Sequence, residues 1–87
     1  MKNTIKYNGK LNAIGSKIKD CRIKNKMTQK ELAEKLQLYG IDLNKNSLQK
    51  LERGDRIIKE YELAVFCEVL NVSADELLKD CTKNLLK

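Results

Sequence analysis

Residues 36–54 read LQLYGIDLNKNSLQKLERG, and the way this stretch folds decides the architecture. A helical apolar rhythm enters it through Leu32 and Leu36, and a second leaves through Leu48 and Leu51. Between them lie a glycine, an aspartate and two asparagines, residue types that favour turns and helix starts over helix interiors. Asn44 suits an N-cap, with Leu43 and Leu48 in the two positions that staple a helix entrance. From that start Leu48 and Leu51 point inward, while Lys45, Asn46, Gln49, Lys50 and Arg53 fall on the other faces. Gly54 suits the left-handed position that ends a helix. The stretch therefore predicts a short helix over about 45–53 whose outer surface is polar and mostly cationic.

Working outward, the helix before it has a complete start signal. Thr28 and Glu31 stand at capping-box spacing, Met27 and Leu32 at staple spacing, and Leu32, Ala33 and Leu36 then face a core. This helix is expected over 28–39. Its last turn would be Gln37, Leu38 and Tyr39, stopped by Gly40, with re-entry through Ile41, Asp42 and Leu43. Leu38, Ile41 and Leu43 are expected to anchor the connection. A first helix over 12–24 places Leu11, Ile14, Ile18 and Cys21 on one stripe, with Arg22 one turn after Ile18, an unusual place for a charge. A fourth, over 60–70, carries Leu63, Phe66, Cys67 and Leu70, with Asn71 as its C-cap. The fifth, over 74–80, repeats the second helix's grammar with a Val72/Leu77 staple and a Ser73/Glu76 capping box. The expected fold class is all-α, a compact five-helix domain with a lengthened turn between the second and third helices.

Composition bounds what such a domain does. A chain of 87 residues with 41% hydrophobic and 34% charged residues forms one modest core. We expect a basic N-terminal arm at 1–10, one domain at 11–80, and a tail or helix extension at 81–87. No apolar run reaches the roughly 18 residues of a membrane span, and Met1 to Lys10 lacks a signal peptide's apolar stretch. Three cysteines without CxxC spacing, and no histidine, make a metal site unexpected and fit free thiols in a reducing cytoplasm. With no nucleophile–base pair and no phosphate-cradling glycine loop, neither catalysis nor a cofactor is expected. Residues 1–59 hold 15 Lys/Arg against 6 Asp/Glu, whereas residues 60–87 hold 3 against 6. The basic half points to a polyanionic partner.

In order and spacing, Thr28-Gln29-Lys30-Glu31-Leu32-Ala33 with Leu36, Asn44 with Leu48 and Leu51-Glu52-Arg53-Gly54, and Leu70-Asn71-Val72-Ser73 with Glu76-Leu77 resemble the lambda-repressor and Cro-like helix-turn-helix family. The resemblance spans about residues 11–80. Its one departure is the run from Gln37 to Leu43, longer than the usual family turn. It implies a DNA-binding transcriptional regulator, most simply a repressor, whose third helix lies in the major groove. By match to the family pattern, Lys45, Asn46, Gln49 and Lys50 would reach base edges, a role their donor and acceptor chemistry suits. Gln29, Lys30, Asn44, Arg53, Arg56 and Lys59 would contact phosphates. Arg22 and Glu52 would form a structural ion pair. The expected partner is a near-palindromic duplex bound by a homodimer, joined through Leu77, Leu78, Cys81 and Leu85 on an extended fifth helix. The alternative is an antitoxin or adaptor of the same fold whose main partner is a protein, such as a toxin.

Overall fold

Local hydrogen bonds mark each helix boundary, and packing then orients the helices. The computed structural model describes residues 9–82, which form α1 (Gly15–Lys24), α2 (Gln29–Gln37), α3 (Lys45–Arg53), α4 (Glu60–Leu70) and α5 (Ala74–Leu78). At the start of α2 the Thr28 hydroxyl accepts from the Glu31 N–H at 3.0 Å, and the Glu31 carboxylate accepts from the Thr28 N–H at 2.8 Å. Asn44 accepts from the Ser47 N–H at 2.8 Å to open α3, and Ser73 accepts from the Glu76 N–H at 3.0 Å to open α5. The Ser73 cap forms this serine half alone, not the full box its spacing suggests. Each such cap satisfies one of the backbone donors that a helix start leaves unpaired.

Four helices end in one way. The N–H groups of Met27, Ile41, Asp55 and Val72 each bond back five residues, to the carbonyls of Arg22, Leu36, Lys50 and Cys67. Just before each of them sits a residue with positive φ: Lys26, Gly40, Gly54 and Asn71. This is the Schellman closure, which pairs carbonyls otherwise orphaned at a helix end. At Gly40 it extends the α2 spiral through Leu38 and Tyr39, and the next residue, Ile41, folds back onto Leu36, both of them buried. The lengthened turn is therefore a helix end plus a re-entry anchored by the buried Ile41 and Leu43. Leu38 is not one of its anchors: it is 85% exposed, because the closing turn rotates it away from the core.

The core is one cluster of Ile14, Ile18, Leu32, Ala33, Leu36, Ile41, Leu43, Leu48, Leu51, Phe66, Leu70 and Leu77. Around it α3 packs on α1 and α2, α4 on α1 and α2, and α5 on α4. Burying each large apolar side chain contributes roughly 1.5–3 kcal/mol, and this offsets the ordering of five short helices.

Both ends of the domain differ from the periodic reading. α1 begins at Gly15, not at Asn12, because the Asn12 side chain is occupied as a clamp. It accepts from the Gly15 N–H at 2.7 Å and donates to the carbonyls of Leu51 at 3.0 Å and Arg56 at 2.7 Å. At the other end α5 stops at Leu78: Lys79 is extended and Asp80 has φ +65. The Lys17 ammonium donates to the Lys79 carbonyl and ties this end to α1. Among the described residues no helix is long and apolar enough to cross a membrane.

Candidate nucleic-acid interface

α3 is two-faced. Leu48, Leu51 and Glu52 are buried, while Lys45, Asn46, Gln49, Lys50 and Arg53 are all exposed. Nothing else on its nine residues competes with this division, since Ser47 alone is half-buried. The exposed row carries three cations and two side-chain amides, and no carboxylate. The Asn44 oxygen caps the helix at its start, and the Schellman closure at Gly54 ends it, so the row is presented on a rigid element.

Beneath the row, one buried carboxylate connects three helices. Glu52 of α3 receives Arg22 Nε at 2.7 Å, Arg22 Nη2 at 3.1 Å and Gln29 Nε2 at 3.1 Å. Arg22 sends its remaining nitrogen to the Met27 carbonyl at 2.8 Å, at the junction of α1 and α2. A planar guanidinium matches a carboxylate in this two-point geometry and so fixes an angle as well as a distance. The unusual charge on the α1 stripe is thus the central tie between α1 and α3. Gln29, at the first position of α2, brings α2 into the same group.

The other residues singled out from the sequence lie as follows. Lys30 is exposed on the first turn of α2. Arg53 pairs with Asp55 at 3.1 Å, with both side chains 57% exposed, and such a surface pair contributes little. Arg56 is not turned outward: its guanidinium makes two bonds to Glu62, at 3.0 and 2.9 Å, and one to the Ile57 carbonyl. Lys59 holds its ammonium 5.8 Å from the centre of the Tyr61 ring. Leu77 is in the core at 1% exposure, Leu78 is exposed, Cys81 is half-buried, and Leu85 lies outside the described residues.

Three structural residues escaped the sequence reading. Glu62 is buried, accepting also from the Lys59 N–H at 2.9 Å. Burial raises its carboxyl pKa, but the Arg56 bonds, the Lys59 N–H and the nearby cations outweigh this and leave it below its ordinary value. Arg56 moves the opposite way, upward, through its bond to Glu62. The second is Asn12, the clamp described above. The third is Gly15: a Cβ there would stand 2.2 Å from the Leu51 carbonyl oxygen, so α1 and α3 touch through bare backbone. Glu62 forms the carboxylate half of a capping box on the Lys59 N–H, but lysine is not a capping residue, so neither Glu62 nor the other two carried a readable signal.

The α2–turn–α3 unit, locked through Glu52 and presenting a cationic helix row, is the geometry of a helix-turn-helix, and a family model of that description matches residues 18–77. The chain belongs to the lambda-repressor-like helix-turn-helix family. Comparison with curated proteins and with solved structures gives no match. Within this helix-turn-helix domain α2 and α3 are the motif, and membership places the chain among DNA-binding regulators.

Proposed function

We propose that this protein is a sequence-specific double-stranded DNA-binding transcriptional regulator of repressor type, reading the major groove with α3 as a dimer. The observation that carries this reading is the exposed row Lys45, Asn46, Gln49, Lys50 and Arg53, set on a helix whose opposite face is locked into the core. Lysine donates to guanine O6 and N7, and Asn or Gln can pair with adenine N6 and N7, so Lys45, Asn46, Gln49 and Lys50 have the chemistry of base readers. Gln29, Lys30, Asn44 and Arg53 surround them as phosphate ligands, with the α2 N-terminus adding its dipole. Arg56 and Lys59, occupied by Glu62 and Tyr61, would contribute mainly through their charge.

A second reading, a module whose main partner is a protein such as a toxin, is favoured by one observation. Leu38 and Tyr39 are 85% and 53% exposed, side by side at the tip of the lengthened turn. Apolar groups presented this way suit a protein contact.

Selection of bound duplexes from a random library at near-physiological salt separates the two. An enriched palindromic motif, with letters that shift on changing Lys45, Asn46, Gln49 or Lys50, supports the DNA reader. Binding without a motif that vanishes as salt rises overturns it and favours the protein-partner reading, because counterion release alone is sequence-blind.

A further inference from the structure

The outer face of α4 is not accounted for by the core or by the cationic row of α3. Ile57 and Tyr61 are 56% and 53% exposed, Ala64 and Glu68 are exposed, and Val65, at the edge of this face, is half-buried with its inner side packed against the core. Tyr61, Ala64, Val65 and Glu68 recur at helical spacing, so they form one stripe with Ile57 leading into it. The Lys59 ammonium is held on this side by the Tyr61 ring. Glu60 leaves the helix about 100° round from Tyr61, on the flank of the stripe.

We propose that this stripe is a self-docking surface, on which α4 of a second copy packs antiparallel across a two-fold axis. Charge is the first argument. The stripe has a cation at one end, Lys59, and an anion at the other, Glu68. In an antiparallel pair each Lys59 meets the other copy's Glu68, twice over, which is the self-complementarity an isologous interface requires. Symmetry supplies the second. The midpoint between positions 59 and 68 falls between Leu63 and Ala64, so the axis crosses the helix beside an exposed alanine. A small side chain there lets the two helices approach closely, with Tyr61, Val65 and Ile57 packing to either side. A polyanion is a poor occupant by comparison, since the chain from residue 60 onward holds 6 acidic against 3 basic residues.

This inference supplies a contact surface for the dimer of the proposed DNA reader, and its test is arranged so that each can fail alone. Sedimentation equilibrium of the full chain without DNA, under reducing conditions, reads the surface. Ala64→Arg, on an exposed helix position that leaves the core untouched, is expected to convert the dimer to monomer with unchanged circular dichroism. Lys59→Glu and Glu68→Lys, each alone, place like charges opposite one another and are expected to weaken self-association about tenfold or more. An equimolar mixture of these two variants restores both pairs in a heterodimer and is expected to regain the wild-type dimer. Leu78→Asp, on α5, is expected to leave it intact. A wild-type chain that stays monomeric, an Ala64→Arg chain that still dimerises, or a mixture that fails to recover association would overturn the inference. DNA reading is judged separately, by binding of the Ala64→Arg monomer to a half-site duplex selected with the wild type.

Discussion

Arg22 and Glu52, thirty positions apart in the sequence, meet through two N–H···O contacts of 2.7 and 3.1 Å, and Gln29 adds a third donor to the same carboxylate. Their side chains are only 10% and 2% exposed. The helix that carries the cationic row is therefore held at its back by charge, while leucines hold its middle.

Removing either partner leaves the other buried and unpaired. Glu52→Ala and Arg22→Ala are each expected to lose about 3–5 kcal/mol of stability. The double variant Arg22→Met with Glu52→Leu should recover much of this, since an apolar pair needs no mutual satisfaction. Urea unfolding measures all three; a loss below about 1 kcal/mol for Glu52→Ala would show that the pair does not hold the domain together.

Gly15→Ala makes a sharper test of packing. In an exposed helix the change would be favourable by up to about 1 kcal/mol. Here the new methyl meets the Leu51 carbonyl oxygen at 2.2 Å, and backbone cannot swing aside as a side chain can. A net loss of about 1–3 kcal/mol is expected, with α1 displaced from α3. Thermal unfolding gives the sign directly.

Acid stability follows from Glu62. Its carboxyl titrates below the ordinary value of 4.5, through Arg56, the Lys59 N–H and nearby cations acting against burial. A lowered folded-state value contributes stability at pH above the ordinary value, and that stability is lost as pH falls through the folded value. Exposed Glu31 shifts in the same direction through its bonds to Thr28. The melting temperature is expected to fall as pH drops below about 4.5, and Glu62→Gln to be less stable near neutrality with a flatter acid limb.

The two side-chain caps of the motif, the reciprocal box at Thr28 and the single bond at Asn44, have separable effects. Thr28→Ala and Asn44→Ala should each lose about 1 kcal/mol, with a range of roughly 0.5–2. Fraying at Asn44 also loosens the first turn of α3, where Lys45 and Asn46 stand. Duplex binding is therefore expected to fall more for Asn44→Ala than its stability loss implies, measured at a temperature where both variants are fully folded.

Base readers and phosphate ligands are distinguished by salt. Lys30→Ala should weaken binding to all duplexes alike and reduce the log–log salt slope by about 0.9. Lys50→Ala should instead relax preference at one position of the selected site. Anisotropy titrations at several salt concentrations, on matched and single-mismatch duplexes, check both.

Capping and chain reversal act over three to five residues, so sequence alone determined most helix boundaries, but not the start of α1 or the end of α5. Thr28 with Glu31, Asn44 with Ser47, and the left-handed Gly40 and Gly54 specify their own neighbourhoods whatever lies across the core. Apolar periodicity likewise selected nearly all of the buried face, and the polar row of α3 is its complement. Tertiary structure decided what depends on the angle and distance between helices. Asn12 became a clamp because Leu51 and Arg56 present carbonyls to it from about forty positions away. Gln29 turned to Glu52, and Arg56 to Glu62, because packing brought an acceptor within reach. Leu77 went into the core, and Leu38 out of it, for the same reason: periodicity names a face, and only the packed neighbours determine whether that face is covered.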